Sequence, residues 1–347
     1  MASRPIDPVR WRARALLAAL LALLAVLLPC LPLMWPWLRR RRRQALSPPA
    51  HRQRPRDALP AAGRFVRTSR GETFVVTEGD RNASSTLVVL VHGNVGSTRY
   101  LDSLASALVA AGKRVLRYDL YGRGWSACGG WEHTAELFVG QLAEVLFACG
   151  VTAPIDLIGY SIGAQVAASF AATHSQQVRR LVLLCPALVL SGPLRALPML
   201  LQLPPVRWLA GLYSLATLRD REWYADDWLH VRTSAISAAR LDAVHAIECD
   251  RFDHEPHLAR SFGASIAGMP WGDRPEEYRR LAASGVRVHA LCAARDTIVP
   301  GEQAAAWLRS VLGTGAEVTM LLEHGHSLPY ETPEECCALL LERLDAD

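Results

Sequence analysis

The chain has 347 residues, half of them hydrophobic and a fifth charged, too long for one minimal domain and too apolar for a disordered chain. Its charge is unevenly divided: residues 1–70 hold 15 Arg against Asp7 and Asp57, a balance of +13 where the whole chain carries +5, so residues 71–347 carry −8. Basicity confined to the N-terminus argues against a nucleic-acid partner, which would call for a basic patch on the folded domain, and for a local device such as a membrane anchor.

A basic flank, residues 1–14, contains Arg10, Arg12 and Arg14 and leads into 24 uncharged residues, Ala15 to Leu38. At about 1.5 Å per residue such a helix reaches ~36 Å, enough for a ~30 Å hydrocarbon core. Residues 15–38 therefore read as a transmembrane anchor that partners the bilayer, with Trp35 and Trp37 suited to its interface. A removed presequence and an in-plane helix are the alternatives. The stretch Pro29 to Leu38 offers no Ala-x-Ala cleavage pattern, and Pro29, Pro32 and Pro36 would kink or end the span. Five arginines, Arg39 to Arg43, act more simply as a charge stop at the headgroups than as nuclear targeting. With Arg52, Arg54 and Arg56 beyond them, they bias the C-terminal domain toward the cytoplasmic side of a single-pass membrane protein, the endoplasmic reticulum being one candidate membrane. Asn82-Ala83-Ser84 is a glycosylation sequon, usable only in a luminal domain. Residues 39–62 form a basic, Pro- and Arg-rich linker.

After residue 70 short apolar runs alternate with helical spacing. Strands are predicted at Phe74–Thr77, Thr86–Val91, Arg114–Leu120, Ile155–Ile158, Val178–Cys185, Val286–Ala293 and Val318–Leu322, with helices at Leu101–Ala111, His133–Cys149, Ile162–Thr173, Gln303–Leu312 and Pro333–Leu344. Runs that are apolar throughout imply a mostly parallel sheet with helices on both faces. The core is expected to comprise residues 63–186 and 286–347. Residues 187–285 break the rhythm and read as a helical cap insertion. The cap's first half, from Leu188 to Tyr213, is unusually apolar, suited to lining an apolar tunnel or touching the bilayer. Asp220 to His257, rich in Asp, Glu, Trp and His, suggests no specific role.

Chemistry gathers at the strand ends. Gly159-Tyr160-Ser161-Ile162-Gly163 joins the Ile155 strand to the next helix, the Gly-x-Ser-x-Gly pattern of a nucleophile elbow. Glycines there permit a sharp turn that holds Ser161 at a helix N-terminus, where the N–H of Ile162 can face a developing oxyanion. A serine needs a His to take its proton and an acid to orient that His. Asp296 lies just past the Val286 strand, while His324 and His326 follow the last one, giving the order Ser, Asp, His. The turn after the Val178 strand, Cys185-Pro186-Ala187, holds no carboxylate. Eight cysteines include no CxxC pair and no zinc-like Cys/His spacing, so neither a metal nor a cofactor is expected. Gly122-Arg123-Gly124-Trp125-Ser126-Ala127 fits a dinucleotide fingerprint in letters only, because glycines continue where its helix should run.

In the order of these motifs residues 65–345 resemble the α/β-hydrolase superfamily, and within it monoacylglycerol lipase and related membrane-anchored serine hydrolases. His92-Gly93-Asn94 is similar to the turn from which that family takes its other oxyanion N–H, implying Asn94. Asp119-Leu120-Tyr121-Gly122-Arg123-Gly124-Trp125-Ser126 is similar to its D-x-x-G-x-G-x-S turn, and Gly325-His326 to its GH. The resemblance implies an α/β-hydrolase fold with a cap and a triad of Ser161, Asp296 and His326. It also implies cleavage of carboxylic esters, lipid or acylglycerol-like, through an acyl-enzyme. Acyl-thioesterase and C–C hydrolase activities use the same triad, and a non-enzymatic membrane adaptor that keeps the fold is the alternative of another class. The oligomeric state is not readable.

Overall fold

A computed structural model describes residues 59–345, apart from 81–85, 131, 191–195, 204–205, 207–209, 211–220, 226, 231–232, 256 and 273. The predicted flank, the anchor at 15–38, the linker up to residue 58 and the sequon lie outside the described residues. Among the described residues no helix is long and apolar enough to cross a membrane.

Eight strands form one sheet: β1 Gly63–Thr68, β2 Gly71–Glu78, β3 Leu87–Val91, β4 Arg114–Tyr118, β5 Ile155–Tyr160, β6 Val178–Leu184, β7 Arg287–Ala293 and β8 Ala316–Leu321. Their order across the sheet is β1-β2-β4-β3-β5-β6-β7-β8. The β1–β2 and β2–β4 pairs are antiparallel and the rest are parallel. The apolar runs mark β2 to β8. They miss β1, an edge strand in which buried Val66 and Thr68 alternate with exposed Arg67, so no continuous apolar run exists to find. By contrast every residue of β5, Ile-Asp-Leu-Ile-Gly-Tyr, is buried, as a central parallel strand requires.

The longer helices are α1 Asp102–Ala110, α2 Ala135–Ala148, α3 Ile162–Thr173, α4 Ala235–His254, α5 Leu258–Gly268, α6 Pro275–Ala283, α7 Gly301–Leu312 and α8 Pro333–Leu344. Successive side chains of β3 point to opposite faces, and each face has its own helix layer. Val88 and Leu90 pack with Leu104 and Leu108 of α1 and with Cys336 and Leu340 of α8. Val89 and Val91 pack on the other side with Phe138 of α2, Phe170 of α3, Leu281 of α6 and Leu308 of α7. Alanine-rich α3 is buried over most of its length, because small side chains let it lie close against the sheet.

One boundary moves. The insertion predicted at 187–285 includes α6, yet α6 packs against α3 and α7 and buries Tyr278 and Leu281 in the core layer. Helical spacing identifies an apolar face without saying which surface that face covers. The insertion also contains helices α4 and α5 and the short turns Leu197–Leu200 and Arg221–Ala225.

Candidate active site

Ser161, Asp296 and His326 follow β5, β7 and β8, all at the C-terminal end of the parallel strands, where open α/β sheets place their ligands. The three side chains meet. Ser161 Oγ lies 3.0 Å from Nε2 of His326, whose Nδ1 lies 2.8 Å from Oδ2 of Asp296. The remaining oxygen of Asp296 accepts from the N–H groups of Ile298 (2.9 Å) and Val299 (2.7 Å), fixing the carboxylate's rotation. His324 lies apart from this chain, 3.0 Å from Glu335.

Backbone strain presents the serine. Ser161 has φ 55°, an unfavourable conformation for a side-chain-bearing residue, held by its N–H to Leu184 O (3.0 Å). Its two flanking glycines have separate reasons. A Cβ at Gly159 would stand 2.4 Å from Gly163 O, and one at Gly163 would stand 2.5 and 2.6 Å from the carbonyl oxygens of Val91 and His92. Backbone cannot give way as a side-chain tip can. Gly163→Ala is therefore expected to destabilise the fold by about 1–3 kcal/mol, read as a lowered melting temperature. Gly140→Ala, inside α2 with nothing within 4 Å of the added carbon, is expected to be neutral or to stabilise by up to about 1 kcal/mol.

The candidate oxyanion donors can be followed peptide by peptide, since in a trans peptide the N–H points opposite the preceding C=O. Ser161 O accepts from Ala164 N (3.0 Å) and Ala187 N (3.2 Å), turning the Ile162 N–H the other way. Gly93 O is held by Gly96 N (3.1 Å) and His92 Nδ1 (2.7 Å), which does the same for the Asn94 N–H. Among the described residues no hydrogen bond engages either N–H. His92 is buried and neutral: burial lowers its pKa to about 3, so Nδ1 donates to Gly93 while Nε2 accepts from Leu120 N (3.0 Å).

Two buried arginines hold the next carbonyls, and sequence reasoning missed both. Arg123 Nε donates to Asn94 O (2.9 Å), while its other nitrogens reach Tyr121 O, Ser261 O and Ser265 Oγ. Burial pulls its pKa down to about 9. Arg251, from α4, donates to Val95 O and pairs with Glu255 at 3.1 Å. Inside a Gly-x-Gly turn nothing in the sequence marks Arg123 as buried, and the inward fold of that turn is what buries it.

The imidazole environment suits proton transfer. Burial alone would depress the His326 pKa, but the charge and hydrogen bond of Asp296, with Asp227 beyond, outweigh it and hold the pKa above its ordinary value. Asp227, from the insertion, is a second carboxylate that the sequence did not single out. Its Oδ1 accepts from the N–H of His326 at 3.1 Å. Cys185 completes a cluster with Asp296 and His326 whose ligand atoms lie within 4.8 Å of one another, a spacing a metal ion could use. The chemistry fits a proton relay better: burial raises the Cys185 thiol well above its ordinary pKa, and both ring nitrogens of His326 are engaged.

A family model described as "Alpha/beta hydrolase family" matches residues 88–339. A curated 2-hydroxy-6-oxononadienedioate/2-hydroxy-6-oxononatrienedioate hydrolase of Paraburkholderia phymatum is 27% identical over 296 residues, covering 82% of this chain and 96% of its own length. Among solved structures the enol-lactonase of Burkholderia xenovorans is similar at TM-score 0.63 and 18% identity, over 82% of this chain and all of its own. A thermophilic esterase from Thermogutta terrifontis is similar at TM-score 0.63 and 21% identity, over 82% of this chain and 98% of its own. These likenesses reach the superfamily and do not single out monoacylglycerol lipases.

Proposed function

The chain belongs to the alpha/beta hydrolase family, and from that premise we propose that it is a serine hydrolase cleaving carboxylic esters through an acyl-enzyme. The observation that carries this reading is the unbroken hydrogen-bond chain from Ser161 through His326 to Asp296. His326 Nε2 takes the Ser161 proton as Oγ bonds to the acyl carbon, and the N–H groups of Asn94 and Ile162 hold the oxyanion. As the tetrahedral intermediate collapses, the C–O bond to the leaving alcohol breaks and His326 returns the proton to that oxygen. Water, deprotonated by the same imidazole, then releases the acid and restores Ser161. None of these steps requires a cofactor or metal.

The proposed substrate is an acyl lipid and the proposed setting a membrane surface. Two features support both: the uncharged stretch 15–38 between arginine clusters, and the apolar first half of the cap. A cytoplasmic catalytic domain, as the arginine bias suggests, belongs to the same reading. C–C bond hydrolysis is the second reading, favoured by the curated relative that the chain spans nearly end to end. The test offers acylglycerols, lysophospholipids, acyl thioesters and a 2-hydroxy-6-oxodienoate to wild type and Ser161→Ala. Turnover of acylglycerols that disappears in Ser161→Ala is expected. Turnover of the dienoate alone would replace the ester reading with the second one.

A further inference from the structure

Asp227 lies at the foot of the insertion, buried, and its two oxygens reach both loops that carry the imidazole and its acid. Oδ1 accepts from Thr297 N and Thr297 Oγ1, each at 3.1 Å, and from His326 N at 3.1 Å; Oδ2 accepts from Ser327 N at 2.6 Å. Thr297 and Ser327 are the immediate chain neighbours of Asp296 and His326. One carboxylate therefore fixes the separation of the two loops at the point where their side chains must meet.

The exchange runs both ways. Glu331, five residues past His326 and also buried, accepts from the N–H groups of Leu229 (3.1 Å) and His230 (2.6 Å) and from Ser237 Oγ (2.8 Å) of α4. The insertion thus gives a carboxylate to the histidine loop and receives one from it. Close approach is built in: a Cβ on Gly325 would stand 2.5 Å from Asp227 O. Among the described residues neither Asp227 nor Glu331 forms an ion pair, so their burial is compensated by oriented N–H and O–H donors. That arrangement fixes geometry more tightly than a mobile ammonium would.

Building on the serine-hydrolase reading, we propose that Asp227 and Glu331 form a reciprocal carboxylate clasp that sets the Asp296–His326 geometry, making Asp227 a positioning residue and triad alignment dependent on the docked cap. Simple adhesion between cap and core would leave the alignment of His326 with Ser161 and Asp296, and so the rate of capture, untouched. The clasp would not. The titratable groups around the imidazole are Asp296, Asp227, Tyr160 and Cys185. Burial raises Tyr160 and Cys185 well above their ordinary values, so the two carboxylates carry the local charge. Both hold the imidazolium up, and removing the charge of Asp227 lowers the His326 pKa. Because His326 must be neutral to accept a proton, the acid limb of kcat/KM then moves to lower pH.

The experiment measures fluorophosphonate capture rates, kcat and KM, and kcat/KM against pH for wild type, Asp227→Asn and Glu331→Gln, with melting temperature as the folding control. Asp227→Asn is expected to slow capture about a hundredfold, as a misplacement of order 1 Å does. Its loss falls on kcat more than on KM, and its acid limb moves to lower pH. Glu331→Gln, which opens the clasp from the other side, is expected to slow capture about tenfold with the limb unmoved. Capture by both variants within about threefold of wild type would overturn the clasp. Should Asp227→Asn fail to fold, an unchanged capture rate in Glu331→Gln overturns it alone. Capture that persists in Ser161→Ala would overturn the serine reading and the clasp together, a result distinguishable from either.

Discussion

Replacing Ser161 by Ala is expected to abolish fluorophosphonate capture and to lower kcat by about a millionfold. The effect is so large because nucleophile and base act as one unit: without Oγ, His326 Nε2 has no proton to take at 3.0 Å. Adding His326→Ala to Ser161→Ala should cost almost nothing more, since the first change already removes the covalent route. Stability should hardly change. The strained φ of 55° belongs to the backbone, set by the glycines around it and by the bond to Leu184 O, and Ala keeps the same Cβ. A folded protein with wild-type melting and no capture is the expected pairing.

The second large effect is expected for Asp296→Asn, about ten-thousandfold in kcat, although the change adds no bulk. The reason is tautomeric. Ile298 and Val299 both donate N–H to one oxygen of residue 296, so an asparagine keeps its oxygen there and turns its NH₂ toward His326. Nδ1 must then accept, the ring proton moves to Nε2, and the nitrogen facing Ser161 can no longer take a proton. Loss of the charge adds to this by removing the main group that holds the imidazolium above its ordinary pKa. Crystallographic placement would look unaltered while kcat collapses. A pH–rate profile on the residual activity would show the acid limb moved to lower pH.

How far the sequence reaches follows from which interactions are local. The elbow is local in sequence: Gly159, Ser161 and Gly163 sit within five residues, and the steric need for Gly159 arises from the strand-to-helix turn itself, whereas that for Gly163 comes from the carbonyl oxygens of Val91 and His92. Asp296 and His326 are found the same way, as polar residues just past apolar strands, because strand ends in a parallel sheet converge by topology. The central strands are legible for a related reason, since burial on both faces leaves unbroken apolar runs. Strand β1 is not, because an edge strand needs only Val66 and Thr68 inward. Asp227 shows the limit most clearly. It stands among acidic and aromatic residues with no periodic or spacing signal, and its meaning comes from Thr297, His326 and Ser327, 70 to 100 positions away. Arg123 and Arg251 are alike in this. Each is buried because backbone carbonyls distant in sequence need donors, and composition cannot forecast a tertiary hydrogen bond.

The assignment of roles can be tested at one atom. Treating the full chain with a fluorophosphonate and mapping the adduct by peptide mass spectrometry should place a single phosphonyl group on Ser161. The adduct should vanish in Ser161→Ala, and its formation should slow severely in Asp296→Asn. An active protein that carries the adduct on another residue, or hydrolyses esters while Ser161 remains unmodified, would contradict the account.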